Sequence, residues 1–367
     1  MKRITLVAGA RPNFMKIAPL MRALARAEEY FSCRRVHTGQ HYDEAMNDVF
    51  FRELGIPEPD VFLNCGGGTH AQQTAKIMMA FEDECVRNRP DIVMVVGDVN
   101  STLACSIVAK KLNISVAHIE AGLRSGDHRM PEEINRLVTD SITDIFFVTE
   151  PSGVDNLLHE GHSASNIHYV GHVMIDNLIY QKDRLVDMDF SEKESNKLKK
   201  DLDEYGVVTL HRPSNVDNRE MLQEICDTLN ATSESLPLVF PVHPRTRLNL
   251  QKFGIELAEN VHIFDPLPYM EFLNLWKDAV VILTDSGGLQ EESTALGIPC
   301  LTLRENTERP VTVTEGTNQL IGNDMKKLKA KVGEILGGEA KSGRCPKLWD
   351  GCAADRIVDI LKTKYSH

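Results

Sequence analysis

Positive charge is in short supply in this chain. Lys and Arg number 41 against 53 Asp and Glu, for a formal net charge of −12 over 367 residues. That balance argues against nucleic acid or an anionic membrane as a partner, and an anionic ligand would need a locally basic pocket. None of the eight cysteines falls in a Cys-x-x-Cys pair or a metal-ligand cadence, which points to reduced thiols in a cytoplasm and to no metal site. No apolar run approaches the length that spans a bilayer. The N-terminal run Ile4–Ala10 is broken by Arg11-Pro12 and reads as a first strand, not a secretion signal. Also missing is a Gly-x-Gly-x-x-Gly opening a helix after a strand, so the usual dinucleotide fingerprint is absent. Gly66-Gly67-Gly68 does not replace it, because Thr69 and His70 follow and no strand ends directly before it.

What is present is an alternation of apolar runs with helical stretches. Ile4–Ala8, Val36–Thr38, Ile92–Val96, Ser115–Ile119 and Ile145–Val148 read as strands, with helices between them, one of these around Glu44–Leu54. A second series follows at Val207–Leu210, Leu238–Val242, Val261–Phe264, Val280–Leu283 and Pro299–Leu303. The pattern predicts an α/β protein with parallel sheets and crossover helices, whose ligands bind at the carboxyl ends of the strands. Two Rossmann-like domains facing a cleft are expected, over 1–170 and 171–352, with a terminal helix 353–367 crossing back onto the first. ITLVAGARPN and VVTLHRPSN echo one another: each is a strand delivering Arg-Pro to a helix mouth, which puts Arg11 and Arg212 in comparable places.

The second half is organised around Ala279–Cys300, a strand, a Thr-Asp-Ser-Gly-Gly turn and a helix. Gly287 and Gly288 remove side chains where the helix begins, leaving its first N–H groups open to an anion. Ser286 adds a hydroxyl, and Glu291 and Glu292 stand about one turn on, where a carboxylate can accept from a sugar hydroxyl. A diphosphate followed by a ribose suits that order; an ordinary turn with a Ser cap is the alternative. Asp98 and Glu120 end neighbouring buried strands, where an acid needs a ligand or a partner. Asp98 also reads as a cap for the helix starting near Ser101. Glu132 and Arg136 share a helix face at i, i+4, as a surface ion pair would. Arg11, Lys16 and His211 bring positive charge to loop ends, and His243 reads either as part of that set or as a packed histidine.

Taken together, GARPNFMKIAPL (9–20), TGQHYD (38–43), VVGDVNSTLA (95–104), HIEAGLRS (118–125), MPEEINR (130–136), HRPSNVD (211–217), TDSGGLQEE (284–292) and RENTERP (304–310) resemble the non-hydrolysing UDP-N-acetylglucosamine 2-epimerases, in order and nearly end to end. The resemblance implies a fold of the glycosyltransferase-B type and interconversion of UDP-GlcNAc and UDP-ManNAc without metal or nicotinamide cofactor. It implies elimination of UDP to a 2-acetamidoglucal and re-addition with the proton delivered to the other face. By motif, Asp98, Glu120 and Glu132 become the acid–base candidates and His211 a catalytic group near the diphosphate. Arg11, Lys16, Arg136, Ser286, Gly287, Gly288 and Glu292 become substrate-binding residues, Glu292 at the ribose. A cytoplasmic homodimer with a UDP-sugar as its small-molecule partner is the expected assembly.

Two departures bear on substrate and control. Where many bacterial relatives carry a Gln-His-Arg segment and a further Arg for an activating UDP-GlcNAc, this chain has Gln40-His41-Tyr42-Asp43 and no Arg over Gly66–Gln72. The QHYD and HRPSNVD variants are also similar to relatives acting on UDP-2,3-diacetamido-2,3-dideoxyglucuronic acid in surface-polysaccharide synthesis, the main rival substrate. Outside the family, the rivals are a retaining glycosyltransferase of the same fold, which needs the Ser-Gly-Gly helix but not three carboxylates, and a non-catalytic nucleotide-sugar sensor.

Overall fold

The structure, a computed structural model, describes residues 1–40 and 55–365, and of Arg11 the backbone alone. The helix expected over Glu44–Leu54 and the variant residues His41, Tyr42 and Asp43 lie outside the described residues.

Two compact units emerge, Met1–Tyr180 with Lys347–His367, and Gln181–Pro346. The sequence reading drew the division at 170/171 and 352/353; in the structure the first boundary falls inside a helix, Val173–Arg184. In the first unit the strands are β1 (Lys2–Ala8), β2 (Phe31–His37), β3 (Val61–Phe62), β4 (Ile92–Val96), β5 (Ser115–Ile119), β6 (Ile145–Val148) and β7 (Ile167–Tyr169). They form one parallel sheet in the order β3-β2-β1-β4-β5-β6-β7. The helices are α1 (Arg11–Ala25), α2 (His70–Arg87), α3 (Asn100–Lys111), α4 (Pro131–Ser141), α5 (Pro151–His159) and α6 (Val173–Arg184).

Helices cover the sheet, so its central strands read as continuous apolar runs instead of alternating ones. Val93 and Val95 of β4 pack with Ile77 and Phe81 of α2 and with Ala104 and Val108 of α3. Their neighbours Ile92, Met94 and Val96 point the other way and are equally buried. This is why β4, β5 and β6 begin and end where the apolar pattern placed them. β2 is longer than expected because its first half, Ser32-Cys33-Arg34-Arg35, is polar. Those arginines are held by Glu84 and by Asp60, the latter through two bonds of 2.8 Å. The short strands β3 and β7 carry no periodic signal of their own.

The second unit contains β8 (Gly206–Thr209), β9 (Leu238–Pro241), β10 (Val261–Phe264), β11 (Val281–Thr284), β12 (Cys300–Thr302) and β13 (Asn318–Leu320), parallel, in the order β10-β9-β8-β11-β12-β13. Its helices are α7 (Glu194–Asp201), α8 (Pro213–Val216), α9 (Arg219–Ser233), α10 (Pro244–Phe253), α11 (Tyr269–Trp276), α12 (Gly287–Leu296), α13 (Pro310–Thr314) and α14 (Met325–Leu336). The final helix, α15 (Ala353–Tyr365), belongs to the first unit. Asp176 accepts the Ala353 and Ala354 N–H groups at 3.1 and 2.7 Å, and Arg26 pairs with Asp355. No described helix is long and apolar enough to cross a membrane.

Both sheets repeat one strand order, with β8 to β13 in the places of β1 to β6, and in each the order reverses beside the first strand. In open parallel sheets that reversal leaves a crevice at the carboxyl ends of the two central strands. It lies between β1 and β4 in the first unit and between β8 and β11 in the second. The echoing segments ITLVAGARPN and VVTLHRPSN each form one side of such a crevice.

Candidate functional site

In the first unit the crevice is lined by carboxylates and their counter-ions. Glu120 follows β5 directly and has φ 70°, a left-handed backbone unusual for a residue with a side chain. Its carboxylate is buried, and Oε2 accepts from Lys16 Nζ of α1 at 2.5 Å. The other oxygen, Oε1, has no hydrogen bond among the described residues; His172 Nδ1 stands 3.9 Å away. Gly97, at the end of β4, has φ 68°, and a Cβ there would lie 3.4 Å from Lys16 Nζ and 3.7 Å from Glu120 Oε2. Glycine here therefore serves both the turn and the close approach of backbone to the ion pair.

Asp98 does not cap α3. The N-cap is Val99 and makes no side-chain cap bond, while Asp98 Oδ2 accepts from Arg136 Nη1 at 3.0 Å. The expected i, i+4 pairing of Glu132 with Arg136 is not made either. Arg136 is buried and turns inward, its Nε donating to Glu133 Oε2 at 3.0 Å, and its buried Nη2 has no partner among the described residues. Glu133 is fixed in turn by the N–H groups of Ser125 and Gly126. Glu132, half-exposed, makes no hydrogen bond with the described residues. The first unit thus brings Lys16, Glu120, Asp98 and Arg136 into two ion pairs at adjacent strand ends and leaves Glu132 unengaged. Arg11 opens α1; its side chain is outside the described part of the structure.

In the second unit Ser286 is the N-cap of α12 with no side-chain cap bond, so its hydroxyl and the first N–H groups of a ten-residue helix stay available. Asp285, fully buried just before it, ties the other side of the crevice. It accepts from the N–H groups of His211 and Arg212, from Asn215 Nδ2, and from His211 Nδ1 at 2.8 Å. Burial pushes the Asp285 carboxyl up, but the bonds and charge of His211 and the two N–H donors outweigh it, and it is held below the usual range. His243 is an exposed N-cap, not a packed residue: its Nδ1 accepts the Arg245 N–H, and its ring is 5.8 Å from that of His211. Burial and the neighbouring His211 both push its pKa down.

Three arginines gather near the mouth of α12. Arg309 pairs with Glu291 and Glu308, Arg304 grips Glu308 through two bonds of 3.1 and 2.9 Å, and the buried Nε of Arg212 has no partner among the described residues. Burial and then the Arg304 charge lower the pKa of Arg212. A Cβ on Gly287 would lie 2.9 Å from Arg309 Nη1. Glu291 and Glu308 balance two of these three charges, so the cations that would meet an anionic ligand stand inside an ion-pair network. One turn along α12, the buried Glu292 accepts from the Tyr269 hydroxyl at 3.1 Å. A hollow of about 210 Å³ adjoins Ser286 and His211, its wall made apolar by Pro266, Leu267 and Phe272.

Several of these groups escaped the sequence reading. Asp285 had the same signal as Asp98, an acid ending an apolar run. Arg304, Glu308 and Arg309 stand in the RENTERP block and Glu133 in MPEEINR, but no local spacing singles out any of the four as a site residue. Among the described residues no group of three or more His, Cys, Asp or Glu is gathered as a metal ion would need.

Comparison with known proteins agrees with this layout. The family model described as UDP-N-acetylglucosamine 2-epimerase matches residues 22–362. The chain is 41% identical over 370 residues to a UDP-N-acetylglucosamine 2-epimerase of Methanocaldococcus jannaschii, covering 98% of both. It is 39% identical to a UDP-2,3-diacetamido-2,3-dideoxy-D-glucuronate 2-epimerase of Pseudomonas aeruginosa, covering 94% of this chain and 98% of that one. A crystal structure of the M. jannaschii UDP-GlcNAc 2-epimerase in complex with UDP-GlcNAc and UDP superposes with TM-score 0.85 at 39% identity, over 98% of this chain and 99% of that one. The paired Rossmann-like architecture is that of the glycosyltransferase-B fold. A doubled strand order, ion-paired carboxylates at one crevice, an open cation-rich helix mouth at the other and identity along nearly the whole length have one common explanation: this chain belongs to the UDP-N-acetylglucosamine 2-epimerase family.

Proposed function

We propose that the chain is a UDP-N-acetylglucosamine 2-epimerase, an isomerase interconverting UDP-GlcNAc and UDP-ManNAc. The observation that carries this is the division of chemistry between the two crevices: acid–base groups in the first unit, an anion site in the second. The hydrogen on C2 of the sugar is not next to a carbonyl, so direct deprotonation and return is too difficult. Elimination avoids this. A carboxylate takes the C2 proton as the C1–O bond breaks, giving UDP and a 2-acetamidoglucal. UDP then re-forms the C1–O bond while a second acid delivers a proton to the opposite face of C2.

Such an enzyme has to hold UDP while it is detached. The N–H groups at Gly287 and Gly288, the Ser286 hydroxyl and the charges of Arg212, Arg309 and His211 suit the departing diphosphate. Glu292 takes the ribose, and the apolar wall of Pro266, Leu267 and Phe272 takes the base. Asp98, Glu120 and Glu132 share the proton transfers, with Lys16 and Arg136 holding the first two of them. We take the protein to act as a cytoplasmic homodimer. The dimer has support in exposed apolar side chains, Met79 and Val86 on α2 and Ile134 and Val138 on α4, and the compartment in a sequence whose eight cysteines show no paired spacing.

UDP-2,3-diacetamido-2,3-dideoxyglucuronic acid is the second reading, favoured by the P. aeruginosa relative. Incubating the enzyme with each UDP-sugar in deuterated water separates the two. Deuterium at C2 with inversion identifies the substrate, and no exchange in either overturns the reading.

A further inference from the structure

Beneath the two ion pairs lies a fully buried dyad that takes no part in them. His118, inside β5, directs Nδ1 at Asp140 Oδ1 (2.6 Å) and Nε2 at the carbonyl oxygen of Gly97 (2.9 Å). Each ring nitrogen therefore faces an acceptor oxygen. Asp140, on α4, also accepts the Gly122 N–H at 3.0 Å and Arg124 Nη1 at 2.8 Å. Burial pushes the Asp140 carboxyl up, and the His118 and Arg124 charges with the Gly122 N–H more than reverse it.

What these bonds reach is informative. The β4–β5 ladder ends at Val96 and Ile119. Beyond it both chains leave strand geometry, through Gly97 (φ 68°) on one side and Glu120 (φ 70°) and Gly122 (φ 79°) on the other. The dyad holds the Gly97 carbonyl, one residue before Asp98, and the Gly122 amide, two residues after Glu120. Single backbone bonds still reach the turns, from the Gly97 N–H to the Ile119 carbonyl (3.1 Å) and from the Glu120 N–H to the Phe147 carbonyl (3.0 Å), and the dyad adds a side-chain bridge between the two turns themselves.

We propose that His118 and Asp140 are positioning residues that set the Asp98 and Glu120 turns at one fixed spacing for proton transfer. This rests on the reading of those carboxylates as the acid–base groups. Both members of the dyad are fully buried inside the first unit and bond only to it, so disturbing them should alter turnover and spare UDP binding. A misplacement of about 1 Å in such groups can lower a rate by roughly a hundredfold.

The test uses two amide replacements. An Asn amide nitrogen falls near the position of Nδ1 and keeps the bond to Asp140 while losing Gly97; a Gln amide nitrogen falls near Nε2 and does the reverse. On the UDP-sugar that the unaltered enzyme epimerises, His118→Asn is expected to lower kcat at least about tenfold with KM within about twofold. Its calorimetric UDP affinity should stay unchanged and the protein should remain folded at the assay temperature, although the lost buried bond lowers the melting temperature, and His118→Gln should recover part of the rate. A kcat within about twofold of the unaltered enzyme in His118→Asn overturns the proposal. So does loss of UDP affinity or of the fold along with kcat, which would make the pair a general structural support. If the unaltered enzyme epimerises neither UDP-sugar, the functional reading fails first and takes this proposal with it.

Discussion

Replacing Lys16 with Met removes the ammonium from the buried pair with Glu120 and keeps an unbranched stem of similar length. The two side chains are only 10% and 3% exposed, and the bond between them is 2.5 Å. Glu120 has no ready substitute partner: Oε1 already lacks a hydrogen bond, and His172 at 3.9 Å is beyond hydrogen-bond reach. Stranding one member of a buried ion pair costs about 3–5 kcal/mol. For a unit of roughly 200 residues each kcal/mol moves the melting temperature by about 2–4 °C, so Lys16→Met should melt roughly 6–20 °C lower. Adding Glu120→Gln removes the stranded charge, and the double variant should regain more than half of that loss. Differential scanning calorimetry of the three proteins reads this apart from activity, which both variants are expected to lose. A single variant melting within about 1 °C of the unaltered protein, or a double variant no better than the single, would refute the reasoning.

Other outcomes follow from the same geometry. Asp98→Asn, Glu120→Gln and Glu132→Gln should each lower turnover at least about a hundredfold with little change in UDP affinity, and near-normal turnover at saturating substrate would remove that residue from the mechanism. Gly287→Ala should weaken UDP binding about tenfold or more, since the new Cβ meets the Arg309 guanidinium at 2.9 Å; unchanged affinity by calorimetry would return Ser286-Gly287-Gly288 to a plain turn. Glu308 is raised by burial but brought down overall, from its usual 4.5 to about 2, by the Arg304 bonds and the Arg309 and Arg304 charges. With its folded pKa depressed, it stabilises the fold fully above about pH 4.5, and that stability is lost as the pH falls towards 2. Glu308→Gln should therefore lose about 3 kcal/mol at pH 7 and much less at pH 3. Urea unfolding at both values checks it, and an equal loss at both would mean that Glu308 acts through shape and not charge.

The sequence by itself determined the strands other than β3, β7 and β13, the alternation and the identity of most residues at the strand ends. The reason is that a strand covered on both faces has to be apolar throughout, so Ile92–Val96 and Ser115–Ile119 announce themselves and whatever follows them stands at the crevice. The Arg-Pro echo marked the doubled topology for a similar reason, since proline in the first turn of a helix is a local preference. Tertiary structure alone decided which charges meet. Spacing along α4 favoured Glu132 for Arg136, but the burial of Arg136 selected Glu133 and Asp98, the second 38 positions away in the chain. Asp285 binds His211 across 74 positions, and the His118–Asp140 dyad unites a strand, a helix and two turns. Buried polar groups must find partners wherever the fold brings them. Local periodicity carries no record of that choice, so the elements were legible in the sequence and the pairings were not.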